Sequence, residues 1–271
     1  FRRLPSRGRT QIVGGGGLKI NTAKQKMLSG KPALGFAAKL GSPVAAEFLS
    51  HCGADFVSLD TQHGSWGDDS MIAGVTSICA GAATPMARVL NNQYHLAARL
   101  LDAGVLGIIA PMVDTVEEAQ AMAAACRYPP VGQRSYGWGR ALVYGADYAD
   151  WINDQLFVAV QIESAQAVRQ AEAILAVPGI DGCMIGPQDL ALSLGFHPRE
   201  IPQRDEHARA LEHIVQACRN TGKIPGIDIG GPDLAVLRVQ QGFRFVVMGS
   251  DVRFLQGGAT AAIKTVTAAL E

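Results

Sequence analysis

From about Asn21 onward, short apolar runs rich in β-branched residues alternate with longer stretches whose apolar residues recur at helical spacing. Gly, Pro or Asp marks most of the junctions. This alternation admits few folds, because successive strands must run parallel and the helices joining them must cover the sheet. The spacing predicts strands over Leu34 to Ala37, Phe56 to Asp60, Met86 to Val89, Gly107 to Pro111, Phe157 to Glu163, Gly182 to Ile185, Ile224 to Ile227, and Phe245 to Met248. Helices are predicted over Pro43 to His51, Asp69 to Ala80, Tyr94 to Ala103, Val116 to Cys126, Ala165 to Ala176, His207 to Asn220, Pro232 to Gln241, and about Gln256 to Leu270. Eight such pairs close into an α/β (β/α)8 TIM barrel. The competing doubly wound open sheet would carry a glycine-rich phosphate loop after its first strand, and GFAAKLGSP lacks the GxGxxG spacing.

One barrel of about 250 residues accounts for most of the 271. Residues 21–271 are therefore read as a single domain, and residues 1–20, basic and without acidic side chains, as a flexible arm. Lys plus Arg equals Asp plus Glu at 24 each, so no global field draws in nucleic acid or an anionic membrane. No apolar run approaches the roughly 18 residues of a membrane span. The five cysteines have neither CxxC nor Cys/His ligand spacing and read as reduced thiols of a cytoplasmic protein. The longest insertion, between Tyr128 and Gln155, carries Tyr136, Trp138, Arg140 and Tyr144 and is expected on the substrate side.

A barrel gathers its strand C-termini at one mouth, and ionisable residues cluster at those ends here. In order they are Asp60 with Gln62 and His63, then Arg88, then Gln161 with Glu163, and Asp189 just past the sixth strand. Glu163 and Asp189 suit a hard divalent ion such as Mg, Mn or Co better than structural zinc, which prefers Cys and His. The plainer alternatives are a helix cap for Asp189 and a salt bridge for Glu163. Arg88 ends an apolar strand and needs an anionic partner, either the oxygens of a 2-oxo acid or Asp60 in a buried ion pair. His63 can serve as acid or base, with Asp102 as an orienting carboxylate if subunits meet there, or else as a surface charge at a helix end.

The motifs VSLDTQHG, PMARV, LLDAGVLGIIAPMV, RYPPVGQRSYG, VQIES and GCMIGPQDLALSLG, in this order, resemble the HpcH/HpaI aldolase family over nearly the whole chain. The resemblance implies a barrel that binds pyruvate and an aldehyde, with its last helix exchanged between subunits in a hexamer built as a trimer of dimers. It implies that Glu163 and Asp189 bind a divalent metal, that Arg88 holds the ketone oxygen, and that His63 performs acid/base chemistry. By the same resemblance Asp60 belongs to the catalytic group, Asp102 reaches a neighbour's histidine, Gln161 supports the ligands, and Gly186 and Pro187 present main chain to the pyruvate carboxylate. The chain departs from many members at Gln62, where glutamate is common, and at Ala191, where serine often stands.

The expected activity is that of a class II aldolase joining pyruvate to an aldehyde and cleaving 4-hydroxy-2-oxo acids. A class I aldolase would need a lysine at the mouth, for which Lys39 is the candidate among seven lysines. A lyase of the malyl- or citramalyl-CoA type would want a basic entrance, and no basic cluster stands in the loops. A barrel used only for ligand binding or assembly is the non-enzymatic alternative.

Overall fold

The computed structural model describes residues 20–137 and 139–270. Nearly all of the expected N-terminal arm, and Trp138, lie outside the described residues. The elements run α1 (Thr22–Leu28), β1 (Ala33–Ala38), α2 (Pro43–His51), β2 (Phe56–Asp60), α3 (Asp68–Ile78), β3 (Thr84–Arg88), α4 (Tyr94–Ala103), β4 (Gly107–Ala110) and α5 (Val116–Cys126). They continue with α6 (Tyr148–Gln155), β5 (Phe157–Gln161), α7 (Ala165–Arg169), α8 (Ala171–Leu175), β6 (Gly182–Met184), α9 (Pro187–Ser193), α10 (Asp205–Thr221), β7 (Gly226–Asp228), α11 (Ala235–Gln241), β8 (Phe245–Ser250) and α12 (Asp251–Leu270).

All strand pairs are parallel, in the order β6-β5-β4-β3-β2-β1-β8-β7. Parallel bridges Gly182↔Ile224 and Ile185↔Ile227 join β6 to β7, bringing the sheet into a (β/α)8 barrel. Because side chains alternate along a strand, two cores form. One fills the lumen with Phe56, Met86, Ile109, Phe157, Met184 and Phe245. The larger one lies between strands and helices. Helix α1, absent from the predicted elements, closes the lower end: Ala23 and Met27 enter the lumenal core, and the Asn21 side chain accepts from the Lys24 N–H.

Two predicted helices are broken. The stretch 165–176 divides at Gln170, whose backbone leaves helical geometry while its Nε2 donates to the Asp114 carbonyl at 3.0 Å. The helix predicted from Pro232 opens with a 3-10 turn over Pro232–Leu234 before α11. The Tyr128–Gln155 insertion, expected on the substrate side, connects α5 to β5 and therefore sits at the opposite rim of its own barrel. Its side chains bind there: Arg140 Nη1 donates to the Ala103 carbonyl at 3.2 Å and the Tyr144 hydroxyl to the Gly104 carbonyl at 2.7 Å, both at the end of α4. Helix α12 keeps Leu255, Ile263 and Val266 exposed, and α2 exposes Val44 and Phe48.

Candidate active site

Register alone brings the first pair together. Asp60 and Arg88 are partners at the ends of β2 and β3, both facing the lumen. Arg88 Nε donates to Asp60 Oδ1 at 3.0 Å and Nη2 to Oδ2 at 2.5 Å, so the predicted alternative of a buried ion pair is what the fold builds. Lys39 Nζ, just past β1, lies 3.3 Å from the same Oδ2. The backbone N–H groups of Gln62 and His63 also converge on Asp60 Oδ1, at 3.2 and 3.1 Å. Burial acts to raise the Asp60 pKa, but the bonds and charge of Arg88, the His63 N–H and Lys39 outweigh it and hold the carboxyl below its ordinary range. Asp60 thus aligns the Arg88 fork and leaves Nη1 facing Gln161 Oε1 at a loose 3.4 Å.

Gln161 ends β5, and its Nε2 donates to Glu163 Oε2 at 2.7 Å. Glu163 stands two residues past the strand, where Ile162 N–H still bonds the Met184 carbonyl at 3.1 Å. The Met112 N–H donates to Glu163 Oε1 at 2.9 Å, from a residue at φ +51° just after β4. That left-handed conformation is costly for a side chain such as methionine and is held by its surroundings. The expected salt-bridge alternative for Glu163 has no counterpart among the described residues. Burial pushes the Glu163 carboxyl up to about 7; the Met112 N–H and Arg88 oppose the rise, while the negative charge of Asp189 adds to it.

Asp189 is the third residue of α9, whose cap is Gly186, so it is not the helix cap that its position suggested. Its carboxylate and that of Glu163 meet beside Gly186. A Cβ at residue 186 would lie 2.2 Å from Glu163 Oε2 and 3.4 Å from Asp189 Oδ2. Two oxygens therefore surround one small space that only glycine leaves open. This donor set fits a hard divalent ion, which takes carboxylate oxygens and fills its remaining positions with water or substrate. Among the described residues no group of three or more His, Cys, Asp or Glu side chains is placed to hold a metal ion, so these two carboxylates would be its only such ligands from the described residues.

Of the expected main-chain donors, Pro187 has no N–H, and its carbonyl is engaged by His207 Nε2 at 3.0 Å. The first helical N–H groups of α9 are those of Gln188 and Asp189. The His63 side chain is exposed at the mouth. Asp102 lies in the last turn of α4, at the opposite rim, and its Oδ1 accepts from Arg134 Nη2 at 2.9 Å. The fold does not bring Asp102 to His63 within one chain.

Sequence reading missed two residues. Met112 gave no signal, since methionine does not mark a left-handed turn. Asp228 did carry one, a polar residue at a strand end, but the predicted strand stopped at Ile227, whereas β7 ends on Asp228.

A family model described as HpcH/HpaI aldolase/citrate lyase matches residues 35–256. The chain belongs to this family. A hydroxypyruvate/pyruvate aldolase of Rhizorhabdus wittichii is 36% identical over 245 residues, 90% of this chain and 98% of that protein. A 4-hydroxy-2-oxo-heptane-1,7-dioate aldolase of Escherichia coli is 34% identical over 247 residues, 89% of this chain and 93% of the relative. Among solved structures, an HpcH/HpaI aldolase/citrate lyase family protein from Burkholderia cenocepacia J2315 superposes with a TM-score of 0.85 at 30% identity, covering 91% of this chain and 99% of the other. This HpcH/HpaI family member is an enzyme of the carbon–carbon lyase class, like the aldolases it resembles.

Proposed function

We propose that the chain is a class II aldolase that adds pyruvate to an aldehyde and cleaves 4-hydroxy-2-oxo acids. The observation that carries this reading is the meeting of Glu163 and Asp189 around one space beside Gly186, on the same rim as the Arg88 guanidinium. The two carboxylates would hold a divalent cation, Mg, Mn or Co. When bound, that cation supplies the positive charge that acidifies the methyl group of pyruvate.

The protein's own groups do the rest. Asp60 holds Arg88 Nε and Nη2 and presents Nη1, which receives the 2-oxo oxygen and stabilises the negative charge that develops on it. Gln161 fixes Glu163 through its amide. The N–H groups at the start of α9, next to Gly186 and Pro187, face the pyruvate carboxylate. In cleavage, His63 takes the proton of the 4-hydroxyl, the C3–C4 bond breaks, and its electrons move to the 2-oxo oxygen beside Arg88. The aldehyde leaves, and protonation of C3 gives pyruvate. Asp102 of an adjacent subunit orients His63. The exposed apolar residues of α12 and α2 support exchange of that helix between subunits; the hexamer built as a trimer of dimers is what the family resemblance implies.

Lys39 faces Asp60 as an ion-pair partner, whereas a Schiff base needs a neutral amine. This favours the metal route over class I chemistry. No helix of the described residues is long and apolar enough to cross a membrane, and we place the enzyme in the cytoplasm. The test is cleavage of 4-hydroxy-2-oxo acids by wild-type protein and Glu163→Gln, with EDTA or added manganese. The proposal expects activity only in wild type with metal; activity of the variant, or of wild type in EDTA, removes it.

A further inference from the structure

Beside Arg88 and Asp60 the lumen opens into a second cavity of about 200 Å³ above β1, β7 and β8. Ala37 and Asp228 line both spaces, so the two adjoin. The cavity walls carry Lys39, Gln188, Asp228, Ser250 and Arg253. Apart from Ala37 and glycine, no apolar side chain lines it. We infer that this cavity receives the aldehyde and that Asp228 selects short hydroxylated aldehydes over apolar ones. The inference rests on the pyruvate reading and names the acceptor class for that same site.

Three features support it. First, the volume lies below the roughly 300 Å³ at which pockets for drug-sized ligands begin, which suits a chain of a few carbons. Second, Asp228 Oδ1 accepts from the Gly230 N–H at 3.1 Å, while no bond to its other oxygen is found among the described residues. That leaves an acceptor for a ligand hydroxyl on a wall where an apolar chain would strand it. Third, the rest of the wall is polar: Lys39 faces Asp60 at 3.3 Å, Arg253 Nη1 donates to the Gly230 carbonyl, and Ser250 and Gln188 line the same cavity. Hydroxyls can bond to Asp228, Ser250 and Gln188 together, whereas an apolar chain can bond to none of them.

The test measures kcat/KM for pyruvate addition to glyceraldehyde and butanal, using wild-type protein, Asp228→Leu and Asp228→Asn. Wild type is expected to favour glyceraldehyde over butanal by about a hundredfold, at about tenfold or more for each of the two hydroxyls. Asp228→Leu should bring that ratio below about ten, with Asp228→Asn in between. Because the readout is a ratio between acceptors, a general loss of activity in a variant cancels. Preference for butanal in wild type, or a ratio unmoved by Asp228→Leu, overturns the inference. Exchange of the pyruvate methyl protons by wild-type protein in deuterated water separates the two levels. Exchange with neither acceptor reacting overturns the acceptor assignment alone, whereas no exchange overturns the pyruvate reading and this inference with it.

Discussion

Replacing Glu163 with glutamine removes a carboxyl that burial, reinforced by Asp189, pushes from 4.5 up to about 7. A carboxyl with a folded pKa above its unfolded one favours the native state only while protonated. Its contribution is lost as pH rises from the unfolded value through the folded one. At about 1.4 kcal/mol per unit, the penalty of holding ionised Glu163 without a cation is on the order of 3 kcal/mol at pH 8, and under about 1 kcal/mol at pH 5. Glutamine carries no such penalty at either pH. The bond that Gln161 Nε2 gives to Glu163 is perturbed at both pH values, so it cancels in the comparison. At about 2 °C per kcal/mol for a chain of this size, the variant's Tm relative to wild type in EDTA should be about 5 °C more favourable at pH 8 than at pH 5. Manganese at pH 8 should then raise the wild-type Tm and leave the variant nearly unchanged. Differential scanning calorimetry reads both effects. A variant-minus-wild-type difference that is the same at the two pH values would refute the reasoning.

Other changes probe the remaining parts of the site. Arg88→Ala leaves Asp60 buried without its principal partner and should cost about 3 kcal/mol of stability, measured by urea unfolding, along with the cleavage activity. Gly186→Ala places a methyl group 2.2 Å from Glu163 Oε2 and should weaken manganese binding at least about tenfold in titration calorimetry while the fold persists. Unfolding and refolding His63→Ala together with Asp102→Ala should restore activity that neither has alone, because mixed subunits rebuild one complete pair. Ile263→Lys, on the exposed face of α12, should reduce the mass seen in mass photometry if that helix lies on a neighbour.

The barrel was legible because periodicity reports burial directly. The helices Pro43–His51, Tyr94–Ala103 and Val116–Cys126 fall on their predicted bounds, where caps such as Ser42 and Thr115 sharpen the helix starts. Features set by distant contacts were hidden. Helix α1 is short and owes its place to packing under the lumen, with Lys24 Nζ bonded to the Leu156 carbonyl at 2.7 Å. The break at Gln170 depends on a carbonyl 56 residues away. At the site, strand ends pointed to Asp60, Arg88, Gln161 and Glu163 because each stands at or just beyond a C-terminus. The role of Met112 depends on its backbone conformation rather than on its side chain, and no spacing rule marks it. The insertion after α5 was placed on the wrong rim because glycine and aromatic residues in a loop suggest function without showing which end of the barrel the loop covers.

Crystals grown with manganese and pyruvate, measured at a wavelength where manganese scatters anomalously, test the central claim most directly. The account predicts one strong anomalous peak bonded to Glu163 and Asp189, with pyruvate beside Arg88. A map with no peak between these two carboxylates, or with pyruvate bound elsewhere, would contradict it.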